Sequence, residues 1–186
     1  MEVDKVIGEA KERMKHVLEH LEHDFATIRT GRASPALLDR LRVSYFGSEM
    51  PVNQLASVAV PEARQLIITP WDKGSLRAIE KAILTSDLSL TPSSDGNVIR
   101  LEIPALTEER RKELAKLVGH KAEEGRIGVR NVRRDANASF DKMEKAHTIS
   151  EDDAERGKKH VQEATDEFIK LVDKVAERKV AEVMEA

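Results

Sequence analysis

Apolar residues recur at steps of three and four in three long stretches of the chain, the spacing of one face of an α-helix. The first stretch predicts a helix roughly from Asp4 to Arg29. The second predicts a helix from Thr107, its N-cap, to about Lys145. The third begins at a Ser150 cap and continues to the C-terminus. The three apolar stripes are Val3, Ile7, Ala10, Met14, Val17, Leu21, Phe25 and Ile28; Leu114, Val118, Ala122, Gly125, Val129, Val132, Ala136, Phe140 and Met143; and Ala154, Gly157, Val161, Ala164, Phe168, Val172, Val175 and Val183.

The pattern changes between Thr30 and Ala105, where helical periodicity stops and strand-like alternation begins. Four short strands are predicted there, within residues 41–45, 55–60, 65–69 and 98–103. One short helix is predicted from Ser75 to Thr85, with Asp72 as its cap. All six prolines fall in the same region, at Pro35, Pro51, Pro61, Pro70, Pro92 and Pro104. This region is therefore expected to form a separate module of strands and one helix.

The order of these elements predicts an α+β protein in which the mixed module interrupts a helical bundle. Residues 1–30 and 105–186 are expected to form an elongated antiparallel three-helix bundle, because the first helix needs partners for its apolar stripe. Residues 31–104 form the inserted β/α/β sandwich domain. At 1.5 Å per residue the second long helix spans roughly 58 Å, so an elongated, bent molecule is expected. Two chain crossings would form a hinge, with Thr30, Gly31 and Arg32 in the first and Ile103, Pro104 and Ala105 in the second.

Composition narrows the range of functions. The 186 residues include no cysteine, which excludes disulfides, zinc ribbons, iron–sulfur clusters and a cysteine nucleophile. We find no apolar run long enough to span a membrane and no signal-peptide pattern, so a cytoplasmic protein is expected. The glycine-rich nucleotide loops and the nucleophile-elbow motif of many enzymes are missing from the sequence. We therefore expect neither an enzyme nor a bound cofactor.

The chain has 31 basic and 34 acidic residues, a net charge of only −3. Binding to a polyanion would therefore have to come from local clusters of basic residues. The clearest cluster is Arg126, Arg130, Arg133 and Arg134 on the second long helix. Helical steps of 100° place the first three within about 60° of one another. Guanidinium groups in that arrangement suit a nucleic-acid backbone. A solvated helix face with i,i+4 ion pairs is the alternative.

Two further arginine pairs flank the predicted crossings. Arg29 and Arg32 adjoin the first crossing, where Arg29 has an equally natural role as a positive charge at the helix C-terminus. Arg110 and Arg111 begin the second long helix, where the helix dipole disfavours cations, and this placement indicates an external anion. Pairing with the neighbouring glutamates is the alternative for this second pair.

Other polar and small residues favour structural roles. Three histidines share the face opposite the apolar stripe of the first helix: His16, His20 and His23. A solvated face explains them better than a metal site, because no further ligands accompany them, so no metal is expected. Trp71 is expected in a core or junction rather than as a surface anchor. Close packing is expected at the glycines inside the second long helix: Gly119, Gly125 and Gly128.

Five segments of the chain are recognisable together: residues 28–35 (IRTGRASP), 54–58 (QLASV), 86–88 (SDL), 106–112 (LTEERRK) and 129–136 (VRNVRRDA). With these segments the chain resembles the bacterial ribosome recycling factors. The segments occur in the order found in that family, the match covers essentially the whole chain, and their joint occurrence is highly specific.

The resemblance implies an L-shaped molecule that bends at the two crossings. It also implies binding to ribosomes after termination, chiefly through contacts of the helical domain with large-subunit ribosomal RNA. Family members act with elongation factor G, which hydrolyses GTP, and separate the subunits so that messenger RNA and deacylated transfer RNA leave. A mechanical role without a cofactor of its own is therefore expected.

Several residues match positions that carry function in the family. The family's RNA-binding segment V-R-N-[VI]-R-R corresponds to Arg130, Arg133 and Arg134, and Arg133 is the first choice among them. Arg29 and Arg32 match its hinge-proximal arginines. The remaining candidates for RNA binding are Arg126, Arg110 and Arg111, and the family's hinge glycine is Gly31. The chain departs from the usual family pattern at Phe46, Ser89, Thr91, Gly125 and Gly128.

A helical-bundle adaptor that binds another protein through its exposed helical faces is the second hypothesis. It rests on the three long amphipathic stretches and requires no ribosome. An apolar stripe left unpaired would drive stable self-association, whereas a bundle closed within one chain is expected to be a monomer. The oligomeric state therefore separates the two hypotheses.

Overall fold

The computed structural model describes residues 2–185 and contains helices at both ends of the chain with strands between them. The helices are α1 (Glu2–Ala26), α2 (Leu76–Thr85), α3 (Glu108–Lys145) and α4 (Glu151–Glu185). The strands are β1 (Arg42–Tyr45), β2 (Ser48–Pro51), β3 (Ala56–Glu62), β4 (Gln65–Pro70), β5 (Pro92–Ser94) and β6 (Ile99–Glu102). Contacts divide the chain into a helical unit, residues 2–29 with 108–185, and a mixed unit, residues 30–107. The predicted α+β class is confirmed.

The helical unit consists of α1, α3 and α4, and each of these helices contacts the other two. Ion pairs between the helices show that α3 runs antiparallel to both α1 and α4. The pairs are Arg13–Asp135, Asp24–Lys121, Arg126–Asp173 and Asp141–Lys158. Although α3 and α4 have 38 and 35 residues, none of the helices within residues 2–185 is apolar enough along its length to cross a membrane.

The predicted apolar stripes form the core of the helical unit. Met14 of α1, Phe140 of α3 and Val161 of α4 are fully buried in one cluster. The start of α4 also agrees with the sequence pattern, because the Ser150 hydroxyl accepts a hydrogen bond from the Asp153 amide at 3.1 Å. The predicted Ser150 cap is therefore confirmed.

The first helix ends at Ala26, three residues before the Arg29 that the pattern predicts. The amides of Thr27 and Ile28 bond to carbonyls three residues earlier, which is the tighter 3₁₀ geometry. The Thr27 hydroxyl also donates to the Asp24 carbonyl at 2.7 Å. Such local bonds compete with the helical ladder. The predicted end is therefore wrong, and Arg29 lies beyond the helix.

Two of the three α3 glycines lie at close helix contacts. A Cβ on Gly125 would lie 3.3 Å from Leu21 Cδ2, and a Cβ on Gly128 would lie 3.1 Å from Val17 Cγ1. Both contacts join α3 to α1. A Cβ on Gly119 would meet no side chain of the described chain within 4 Å. The packing prediction is confirmed for Gly125 and Gly128 and is wrong for Gly119, which lies on an exposed face of α3.

The mixed unit contains two antiparallel sheets and more strands than the four predicted. β3, β4, β6 and β5 form one sheet in that order, and β1 and β2 form a hairpin. The pattern misses β2 and β5 because these short edge strands consist largely of polar residues and proline. The turn between β1 and β2 places Phe46 and Gly47 at φ 49° and 76°. Positive φ at both central residues is typical of a type I′ hairpin turn.

The core of the mixed unit joins α2 to the strands, and its fully buried side chains include Val43, Leu66, Ile68, Ile79, Ile83, Ile99 and Leu101. α2 follows a short 3₁₀ turn (Lys73–Ser75) and begins one residue later than predicted. The Asp72 carboxylate accepts a hydrogen bond from the Gly74 amide at 2.9 Å, so the predicted cap lies at the start of this turn. A hydrogen bond from the Tyr45 hydroxyl holds the pKa of Asp72 below its ordinary value.

Trp71 is 68% exposed, so the prediction of a core or junction position is wrong. Alternation along β4 explains this exposure, because Leu66, Ile68 and Pro70 are buried and Trp71 follows Pro70 at the end of the strand. The Trp71 amide donates to the Leu55 carbonyl at 3.1 Å. The main chain is therefore held in place while the indole faces solvent.

Both predicted crossings are anchored to the turn between β3 and β4. The Ala33 amide donates to the Ala63 carbonyl at 2.7 Å, and the Ile103 amide donates to the Arg64 carbonyl at 2.8 Å. Gly31, two residues before the first anchor, has φ 75°. That backbone conformation favours glycine because it has no Cβ.

Candidate nucleic-acid interface

The arginines predicted on α3 line a shallow depression of the helix surface. Its volume is about 550 Å³, and its lining comes from α3 alone: Arg130, Arg133, Arg134, Asn137, Ala138 and Asp141. Spacings of three and four residues bring these side chains onto neighbouring turns of one helix face. Arg126, the fourth predicted member, lies one turn before Arg130 and does not line the depression.

Arg126 belongs to an ion-pair network between α3 and α4. Its Nη2 lies 2.7 Å from Asp173 Oδ1, and its Nη1 lies 3.0 Å from Glu123 Oε2. The hydrogen bond to Asp173 is the main reason that the pKa of Arg126 lies above its ordinary value. The side chain is only 26% exposed. The positive charge of Arg126 is therefore compensated by carboxylates within the helical unit.

Arg130 shares the Glu123 carboxylate with Arg126. Arg130 Nη1 lies 3.6 Å from Glu123 Oε1, which is too long for a hydrogen bond, and both side chains are about half exposed. Exposed ion pairs of this kind contribute little to stability. A phosphate can therefore replace Glu123 as the partner of Arg130 at small cost.

Neutral amides hold the other two arginines of the depression. Arg133 Nη1 donates to Gln162 Oε1 of α4 at 3.1 Å. Arg134 Nη2 donates to Asn131 Oδ1, three residues earlier in α3. An amide oxygen accepts from a guanidinium group without neutralising it. Arg133 and Arg134 therefore keep their charge for an external anion.

One carboxylate lines the depression, and α4 supplies a cation to it. Asp141 Oδ1 lies 2.8 Å from Lys158 Nζ. This hydrogen bond is the main reason that the pKa of Lys158 lies above its ordinary value. Because Lys158 offsets the charge of Asp141, the three arginines give the depression a net positive charge.

Arg110 and Arg111 lie far from the depression along α3. Arg110 pairs with Glu113 at 2.8 Å, and Arg111 Nη1 donates to the Met184 carbonyl at 3.4 Å. Arg111 and Arg130 are about 28 Å apart along the helix axis, because the rise of an α-helix is 1.5 Å per residue. Arg29, just before the first crossing, and Arg32, within it, are exposed and lie outside the helices.

The three α1 histidines are exposed. His16 Nδ1 lies 3.3 Å from Glu19 Oε2, and His20 Nε2 lies 3.8 Å from Asp24 Oδ2. These distances describe surface pairs of one helix. Within residues 2–185, no three acidic or histidine side chains are grouped as a metal site requires.

A sequence profile described as "Ribosome recycling factor" matches residues 21–184. The chain belongs to the ribosome recycling factor family. This membership confirms the resemblance carried by the five segments. The ribosome-recycling factor of Carboxydothermus hydrogenoformans is 53% identical over 98% of both chains. That of Bacillus subtilis is 51% identical over 97% of this chain and 98% of its own.

Two solved structures of the family share the fold. A solution structure of a ribosome recycling factor superposes with a TM-score of 0.75 and 41% identity, over 100% of this chain and 99% of its own. The second is the T. thermophilus factor, described with E. coli elongation factor G bound to the E. coli post-termination complex. It superposes with a TM-score of 0.61 and 46% identity, over 97% of this chain and 98% of its own.

The sequence interpretation missed the side chains that hold the arginines. Asn131 is three residues before Arg134, a helical spacing visible in the sequence. Gln162 and Asp173 belong to α4, and only the packing of α4 on α3 brings them to Arg133 and Arg126. Apolar periodicity identifies the buried face of each helix, but it carries no information about these polar pairs.

Arg126→Ala should lower the stability of the helical unit while leaving nucleic-acid affinity nearly unchanged. The substitution removes a partly buried ion pair and the packing of its aliphatic stem, at a cost of about 1 kcal/mol. Thermal unfolding followed by circular dichroism should show a Tm lower by roughly 2 to 4 °C. An unchanged Tm combined with a large loss of affinity would assign Arg126 to the interface instead.

Proposed function

We propose that this protein binds post-termination ribosomes by placing the α3 depression against the backbone of large-subunit ribosomal RNA. Arg130, Arg133 and Arg134 contact phosphates in this proposal, and Arg133 is the principal contact. One observation carries it: amides orient Arg133 and Arg134 and leave their charge uncompensated. The guanidinium fork matches the oxygen atoms of a phosphate.

The consequence of binding is separation of the ribosomal subunits. The protein acts with elongation factor G and the GTP bound to that partner, and messenger RNA and deacylated transfer RNA then leave. Family membership supports this role, as does the relative described with elongation factor G on a post-termination complex. The protein supplies binding and movement in the cytoplasm, without covalent chemistry or a cofactor of its own.

A monomer suits this role. The apolar stripes of α1, α3 and α4 are largely buried against one another within one chain. The adaptor hypothesis requires an apolar stripe left unpaired, and the described helices do not provide one. We therefore do not propose the adaptor function.

The two crossings form the hinge in this proposal. Gly31 and its neighbours Thr30 and Arg32 precede the Ala33 anchor. Ile103 is buried in the core of the mixed unit. Bending in the second crossing is therefore assigned to Pro104 and Ala105, which are exposed and follow the Ile103 anchor.

Light scattering of post-termination ribosomes tests the proposed function. The protein, elongation factor G and GTP are mixed with the ribosomes, and each component is omitted in turn as a control. Scattering should fall only when all three are present. Absence of splitting together with absence of cosedimentation with ribosomes would overturn the proposal.

Gly31→Val should impair splitting more than ribosome binding. Valine is strained at φ 75°, so the first crossing must change its backbone conformation. Gly47→Val is the matched control, because Gly47 has φ 76° in the β1–β2 turn, away from the crossings. Distances between spectroscopic labels on the two units should change their distribution for Gly31→Val alone. Identical distributions for both variants would contradict a hinge at Gly31.

A further inference from the structure

The arginines of α3 differ in the chemistry of the side chains that hold them. Two carboxylates bind Arg126, whereas Arg133 and Arg134 each donate to a side-chain amide. We propose that Gln162 and Asn131 are positioning residues, which orient these two guanidinium groups for phosphate without neutralising them. The inference rests on the proposed function, because it identifies the side chains that prepare its phosphate contacts.

Gln162 connects a group that only donates to a group that only accepts. Its Oε1 accepts from Arg133 Nη1 at 3.1 Å, and its Nε2 donates to Asp166 Oδ1 at 2.9 Å. A guanidinium group has no acceptor and a carboxylate has no hydrogen to donate, so this order determines the orientation of the amide. Asp166 therefore holds Gln162 in place while its own charge stays one side chain away from Arg133.

Asn131 performs the same task within α3. It lies three residues before Arg134, so both side chains project from neighbouring turns of one helix face. The Asn131 oxygen accepts from Arg134 Nη2. An aspartate at this position would form an ion pair with Arg134 of the kind that Glu123 forms with Arg130.

The distinction between amide and carboxylate is the core of the inference. A carboxylate at position 162 would accept from Arg133 through a charge-assisted hydrogen bond and would compete with phosphate for the same donors. Gln162→Glu makes this change with nearly the same side-chain shape. This variant therefore tests the effect of a negative charge beside Arg133 while the packing of the side chain at position 162 stays nearly the same.

The experiment measures the affinity of labelled protein for purified bacterial large ribosomal subunits over a range of salt concentrations. Gln162→Glu and Asn131→Asp should each weaken binding about tenfold, the effect of removing one charge-assisted hydrogen bond. A plot of the logarithm of the binding constant against the logarithm of the salt concentration should have a shallower slope for these variants. The slope should change by about 0.7 to 0.9 for each phosphate that the variant no longer neutralises. Ala181→Glu is the matched control, because it adds the same charge to an exposed site of α4 about 28 Å along the helix from Gln162. It should weaken binding less than twofold.

A double-mutant cycle with Arg133→Ala separates the inference from the proposed function. In that background Gln162→Glu should have less than a twofold effect, because Gln162 acts through Arg133. Equal losses of affinity for Gln162→Glu and Ala181→Glu would overturn the positioning role. A loss of affinity with Arg133→Ala alone would overturn the positioning role but would still support the RNA interface. Unchanged binding of Arg133→Ala would overturn the interface itself. Gln162→Ala, with a loss of about threefold and an unchanged Tm, excludes misfolding as the cause.

Discussion

Arg133→Ala should weaken binding to large ribosomal subunits by about 1 to 3 kcal/mol, or roughly 5- to 150-fold. The loss comes from charge-assisted hydrogen bonds between the guanidinium group and phosphate oxygens. The fold should remain intact, because Arg133 belongs to neither core cluster and its partner Gln162 is exposed. Titration of labelled protein with subunits at two salt concentrations measures both the affinity and its salt dependence.

Two variants control for the Arg133 result. Arg156→Ala removes the same charge from an exposed site of α4, where Arg156 pairs with Asp153 at 2.8 Å, and should change affinity less than twofold. Arg133→Lys keeps the charge but loses the planar fork, so an intermediate loss is expected. Equal losses for Arg133→Ala and Arg156→Ala would show an effect of total charge alone. A large drop in the Tm of Arg133→Ala would show a structural role.

Gly157→Ala should lower the free energy of unfolding by about 1 to 3 kcal/mol. The added Cβ would lie 2.7 Å from Phe140 Cζ and 2.8 Å from Phe140 Cε1. Phe140 is fully buried, and buried side chains are close-packed, so a shift of its ring displaces neighbouring side chains as well. The better helix propensity of alanine, about 1 kcal/mol, offsets part of a larger steric cost. Circular dichroism should show a Tm lower by about 2 to 4 °C for each kcal/mol.

Gly119→Ala is the matched control for Gly157→Ala. It is the same substitution within a long helix, but its Cβ would meet no described side chain within 4 Å. Helix propensity alone should then raise stability by up to about 1 kcal/mol. Opposite signs for the two variants are the expected result. A neutral or stabilising Gly157→Ala would mean that the Phe140 ring has room to shift.

The long helices were predictable because their signal is local and repeated. Each stripe recurs over many turns, so the buried faces of α1, α3 and α4 follow from spacing alone. The end of α1 involves local bonds that carry no periodic signal, because the amide and the hydroxyl of Thr27 both donate to the Asp24 carbonyl. The edge strands β2 and β5 carry no apolar alternation. Their backbone pairing, rather than side-chain burial, defines them.

The candidate site was predictable in part for a related reason. The arginines lie on one helix, so the 100° step places three of them, Arg126, Arg130 and Arg133, on a common face. Arg126 pairs with a carboxylate of α4, whereas Arg133 donates to an amide of α4, and this difference depends on the axial offset between α3 and α4. That offset decides that Asp173 meets Arg126 and Gln162 meets Arg133. An apolar stripe specifies which faces meet, but it leaves open how far one helix slides along the other.

The anchoring of both crossings to one turn also affects the entropy of chain closure. Ala63 and Arg64 are adjacent, so the mixed unit leaves its two chain ends side by side. The conformational entropy lost in ordering the residues between these ends is compensated within the core of the mixed unit itself. For the helical unit, the insertion is therefore equivalent to a short connection between α1 and α3. A flexible loop of the same number of residues would carry an entropic cost of closure that rises with each doubling of its length. An entire folded unit can thus interrupt a helical bundle at little cost to the bundle's own stability.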